Sequence, residues 1–168
     1  MTKRVFRNIE VLLCLLTLFI LFASFYFQLA HEQELCPLHV TQRTGVLLLF
    51  FITSTGVRLG TINRARLIVL CQAMIALASM YFAAKQLWWQ SLSANEGGKC
   101  MPPLEILWDY FPWKDIFHAY FIGTCNCTKV SWKMFNMSMP GWMLLYFVFI
   151  ILVSIPVYWR LKKECVRY

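Results

Sequence analysis

Among the seven cysteines of this chain, four stand where thiol chemistry could be done. Cys36 opens the stretch Cys36-Pro-Leu-His39, with Arg43 four residues beyond the histidine. Cys100 stands alone, and Cys125-Asn-Cys127 sets two thiols two residues apart. Thiols of this kind exchange disulfides: the thiolate is the attacking species, and each bond made or broken moves an electron pair. An imidazole nearby can serve as a neighbouring cation or as a proton acceptor. Cysteine and histidine are also zinc ligands, but Cys-x-x-His with Cys-x-Cys does not form a zinc ribbon, and no Cys-x-x-Cys-His is present for haem attachment. Redox use is the stronger reading, and no metal site is expected. Which thiols can meet depends on the elements that carry them.

Those elements belong to a membrane. The 168 residues are 60% hydrophobic and 17% aromatic with only 14% charged, too apolar for a soluble domain and short enough for a single unit. Twenty uncharged residues lie between Glu10 and His31, about 30 Å of helix at 1.5 Å per residue, which matches the hydrocarbon thickness of a bilayer. The block is too long for a signal peptide and lacks a convincing cleavage site, so it reads as an uncleaved helix. Three further apolar blocks follow, and the spans predicted are about 10–29, 45–62, 67–84 and 141–159. The second needs Arg58 to snorkel to the headgroups. The fold class expected is an all-α, four-transmembrane-helix bundle, a single domain over 1–168.

Orientation follows from lysine and arginine. Ten of the sixteen basic residues flank one face: Lys3, Arg4 and Arg7; Arg58, Arg64 and Arg66; and Arg160, Lys162, Lys163 and Arg167. The opposite loops carry six basic residues against Glu32, Glu34, Glu96, Glu105, Asp109 and Asp115. The positive-inside rule puts both termini in the cytoplasm and two loops, about 30–44 and 85–140, outside. The net charge of +8 is thereby a topology signal, and nucleic acid is not an expected partner. Cys36, Cys100, Cys125 and Cys127 then share the outer compartment, where disulfides persist, whereas Cys14 and Cys71 fall in spans as small hydrophobes and Cys165 in the cytoplasmic tail. In the long loop, PLEILWDYFPWKDIFHAYF (103–121) can gather Trp108, Phe111, Trp113 and Phe117 on one side of short interfacial helical turns, broken at Pro112.

Taken in order and spacing, these features resemble DsbB, the disulfide bond formation protein B family of bacterial inner membranes. The residues that carry the resemblance are Cys36-Pro-Leu with Gln42-Arg43 at the mouth of the second span, the loop cysteines, and Cys127-Thr-Lys-Val-Ser-Trp132 running into Ser138-Met-Pro-Gly-Trp142. The resemblance implies a thiol:quinone oxidoreductase that reoxidises a periplasmic thiol oxidase of the DsbA type and passes electrons to ubiquinone or menaquinone. It implies that Cys100 takes the partner in a mixed disulfide, that Cys127 is the mate of Cys100, and that Cys36 lies near the quinone. Arg43 at a helix mouth is by itself a headgroup anchor; beside Cys36 it reads as a donor to a quinone carbonyl that gains negative charge.

One position departs from the family. Typical members carry a second cysteine where this chain has His39. Three readings follow: Cys36 attacks the quinone and Cys127 resolves the adduct, with His39 favouring the thiolate; Cys125 takes the missing role; or turnover is lost. Under the first, a Cys36–Cys127 disulfide forms. A vitamin K epoxide reductase-like enzyme would need a cysteine pair within a span, and Cys71 has no mate. The alternative from another class is a non-catalytic or turnover-impaired membrane subunit that binds a thiol oxidase.

Overall fold

The computed structural model describes residues 3–31, 36–58, 62–91, 106, 110–123, 127, 133–134 and 137–165. Helices α1 (Lys3–His31), α2 (Pro37–Arg58) and α3 (Ile62–Ser91) are followed by the shorter α4 (Trp113–Ile122) and by α5 (Met139–Cys165). Four of them, α1, α2, α3 and α5, are long and apolar enough to cross a membrane. The chain is a multi-pass helical membrane protein with the four-helix architecture its hydropathy predicts. Two short antiparallel strands, β1 (Lys133–Met134) and β2 (Met137–Ser138), pair Lys133 with Ser138 and lead directly into α5.

Each long helix buries one stripe and leaves the rest to lipid. On α1 the buried residues are Phe6, Glu10, Leu13, Thr17 and Ser24, spaced by three, four or seven, while Leu12, Leu15, Phe19 and Phe22 are exposed. The same spacing on α2 buries Leu38, Gln42, Gly45, Leu49, Thr53 and Gly56. Between apolar helices in lipid the hydrophobic effect gives no net attraction, so close packing and interhelical hydrogen bonds must hold the bundle. Both are present. Gly45 lies against Ser79 of α3, where a Cβ would collide with the serine side chain, and Gly56 lies against Glu10. Gln72 Nε2 donates to Glu10 Oε2 at 2.7 Å, and Tyr146 donates to Thr17 Oγ1 at 2.9 Å. Alanines 76 and 83 share the central cluster with the fully buried Phe147 and Ile150 of α5.

Helix α2 starts at Pro37, two turns before the charge-free block at 45. Proline is suited to a first helical position because its missing N–H would have no partner there. The carbonyl of Cys36 accepts from the backbone N–H groups of His39 (3.0 Å) and Val40 (3.3 Å), which makes Cys36 the N-terminal cap. At the other end α2 closes at Arg58, and the expected extension towards Ile62 crosses residues outside those described. Helix α4 begins after the extended Pro112, the break anticipated from sequence. It buries Ile116 and Ala119 and exposes Trp113, Phe117 and Phe121, an aromatic stripe at spacing four. Phe111 is also exposed; Trp108 lies outside the described residues.

Candidate functional site

Cys36 and Cys127 form a disulfide across 91 residues of sequence, with Cα atoms 5.2 Å apart. Both are buried, at 6% and 1% exposure, in a small cluster with Leu38 of α2 and Trp89 of α3, with Phe82 packed against it. The bond sits at the capped end of α2, where unpaired backbone N–H groups favour negative charge. Family resemblance pairs Cys127 with Cys100; here Cys127 is joined to Cys36. Cys100 and Cys125 lie outside the described residues.

The path to Cys127 turns at Gly123. Its N–H bonds the Ala119 carbonyl at 3.0 Å to close α4, and its φ of +92° is in the region that favours glycine. An added Cβ would also meet Leu38 Cδ1 at 2.9 Å and Trp89 Nε1 at 3.0 Å. Glycine therefore lets the chain leave α4 directly over the walls of the disulfide cluster.

Arg43 stands two turns below the cap, on the side of α2 that faces α1. Its Nε and Nη2 donate to Ser24 Oγ at 3.2 and 3.1 Å, Nη2 also donates to the Ser24 carbonyl at 3.1 Å, and Nη1 donates to Gln28 Oε1. The guanidinium carbon lies 4.4 Å from the centre of the Phe25 ring. At 9% exposure this arginine is held inside the bundle rather than extended to headgroups. Gln42, the residue before it, faces α3 instead: its Nε2 donates to Gln86 Oε1 at 2.6 Å, one turn beneath Leu38. His39 is half-buried and precedes Arg43 by four residues, which places the two on one side of α2.

Among the remaining thiols, Cys14 lies 3.4 Å from Ser54 Oγ, and Cys71 is free within α3. Among the described residues no three acidic, cysteine or histidine side chains are grouped to hold a metal ion. The polar groups that sequence reasoning missed are Ser24 and Gln28. Their spacing of four within a largely apolar span is the signal that could have found them, because polar side chains on one face of a membrane helix need a partner.

The family model described as "Disulfide bond formation protein DsbB" matches residues 6–157. "Disulfide bond formation protein B 1" of Pseudomonas aeruginosa is 30% identical over 84% of this chain and 88% of its own length. "Disulfide bond formation protein B" of Marinobacter nauticus is 33% identical over 84% of each chain. The protein of the same name from Hahella chejuensis is 30% identical over 74% of this chain and 76% of its own length. No solved structure was found to match this chain.

Proposed function

The chain belongs to the DsbB family of disulfide bond formation proteins, and from that premise we propose that it reoxidises a DsbA-like periplasmic thiol oxidase and passes the electrons to a membrane quinone. The protein would sit in a bacterial inner membrane with both termini cytoplasmic and the Cys36 end of α2 facing the periplasm. The observation that carries this reading is the closed Cys36–Cys127 bond above Arg43: a disulfide linking a helix cap in the bundle to a loop cysteine joins the two places between which electrons must travel.

The exchange balances as follows. A thiolate of the reduced partner attacks Cys100 of a Cys100–Cys127 disulfide, and the partner's second thiol then releases Cys100, so that the partner leaves oxidised and Cys100 and Cys127 are left as thiols. Closing the Cys36–Cys127 bond removes two electrons from two thiolates, and a quinone held near Arg43 would supply the two-electron acceptor, taking up two protons with them. Cys100 then attacks Cys127, which regenerates Cys100–Cys127 and frees the Cys36 thiolate. Each thiol–disulfide exchange breaks one S–S bond for each one made, and the one S–S bond gained at Cys36–Cys127 is balanced by reduction of the quinone to quinol.

The residues fit a quinone in two respects. The four bonds to Ser24 and Gln28 fix the Arg43 guanidinium without engaging every N–H, so a donor is left for a carbonyl oxygen that gains charge. The cap position of Cys36 gives its thiolate the partial positive charge of the α2 N-terminus. His39, half-buried on the Arg43 side where a second cation is disfavoured, assists as a neutral imidazole that accepts a proton.

The same His39 favours the second reading, a DsbB-like subunit that binds a thiol oxidase without turnover, because the family's second cysteine is missing there. Quinone reduction by the purified protein with a reduced thiol oxidase separates the two. Turnover is expected for the natural sequence, and His39→Cys should raise it. A mixed disulfide with the partner and no quinol, with turnover only in His39→Cys, would establish the second reading instead.

A further inference from the structure

A cavity of about 520 Å³ opens between α2, α3 and α4. Val40, Thr44 and Leu48 supply its α2 wall at spacing four, whereas Arg43 turns to Ser24 of α1, so the cavity is separate from the Arg43 side. Phe82 lines it and also packs against the Cys36–Cys127 cluster, a wall common to both.

Its depth and chemistry define what fits. From Val40 to Leu48 is about 12 Å of helix, within the roughly 15 Å hydrocarbon of one leaflet. The hydroxyls of Thr41 and Thr44 donate to the Pro37 and Val40 carbonyls of their own helix, so neither offers a proton to a polar ring. The other walls include Ile75, Ile116 and Phe117. Lys85 lies outside the lining, one turn from Phe82, but is bonded to its wall. Its Nζ donates to the carbonyl of the lining residue Phe121 at 2.7 Å and lies 5.8 Å from the centre of the Tyr81 ring. That holds the ammonium against the α4 wall of the cavity and uses one of its three hydrogens. An apolar slot of leaflet depth with a fixed cation against its wall matches a phospholipid.

We propose that this cavity binds one acyl chain of a phospholipid whose phosphate meets Lys85. The chain fills the space beneath α4, against Ile116 and Phe117, and supports the helix that leads through Gly123 to Cys127. The lipid is thereby part of what holds the wall of the disulfide cluster.

The test is native mass spectrometry of the full chain, taken from nanodiscs of phosphatidylglycerol with added ubiquinone and stripped with mild detergent. Wild type should retain one phospholipid. Ala78→Trp fills the cavity from an exposed lining position and should lower retention about tenfold; Lys85→Gln, which leaves the chain site open, should lower it about fivefold. Leu15→Trp, on the lipid face of α1, should leave it unchanged. The helical circular dichroism and the melting temperature report folding of each variant, and Lys85→Gln carries the test if Ala78→Trp fails to fold. Retention of quinone in place of lipid, retention unaffected by either cavity variant, or no lipid retained by wild type would overturn the assignment.

Discussion

Cys36 caps α2 with its carbonyl while its sulfur is bonded to Cys127, so one residue both fixes the start of the helix carrying His39 and Arg43 and closes the loop that follows α4. Opening that bond changes the tether of the loop without removing the cap. The chemistry can thus cycle at a fixed helix end.

The partner-facing step is tested by Cys127→Ser. With Cys127 gone, the Cys100 thiolate should open the disulfide of oxidised thiol oxidase, one S–S bond broken for one made, and accumulate as a mixed disulfide at Cys100, seen by mass spectrometry of the peptides. A partner joined to Cys125 instead would reassign the role.

Arg43→Met removes the guanidinium and leaves Ser24 and Gln28 without their donor. Loss of one charge-assisted hydrogen bond is worth roughly 1.5–3 kcal/mol, so kcat/KM for quinone should fall about 10- to 100-fold while mixed-disulfide formation at Cys100 proceeds as before. An equal loss in both steps would show that Arg43 acts on the fold rather than on the quinone.

Gly123→Ala forces a side chain into a left-handed backbone and against Leu38 and Trp89. A cost of about 1–3 kcal/mol is expected, read as a lower melting temperature and as an increased rate of alkylation at Cys127 after mild reduction. An unchanged melting temperature would show that the turn relaxes freely.

How far the sequence foretold this molecule differs from residue to residue. The four spans were legible because lipid demands long apolar helices, and the break at Pro112 was legible because proline's ring and missing N–H cost a short interfacial helix a hydrogen bond, a cost that α5 tolerates at Pro156 within a long span. The start of α2 was not, since Gln42 and Arg43 read as interfacial until Gln86, Ser24 and Gln28 are placed against them. Those contacts join helices far apart in the chain, and hydropathy does not record them. For the thiols, spacing left several pairings open. Burial of Cys36 and Cys127 between Leu38 and Trp89 is a property of α2 and α3 meeting, and Gly123 acquires its meaning only there.

Orientation rests on charge alone and has its own test. A reporter enzyme fused after Arg64 should be active only in the cytoplasm, and one fused near Asn95 only outside. The reverse at either site would place the disulfide on the wrong face for a periplasmic partner.

The most direct measurement follows thiols and quinone together. The natural protein and Cys125→Ser, each with reduced thiol oxidase and quinone, are quenched with acid through the first turnover, and disulfides are mapped as quinol absorbance is recorded. The Cys36–Cys127 bond should form at the rate of quinol appearance in both proteins, with Cys125→Ser retaining full turnover. Quinol appearing without that bond, or turnover abolished by Cys125→Ser, would contradict the route through Cys36 and Cys127.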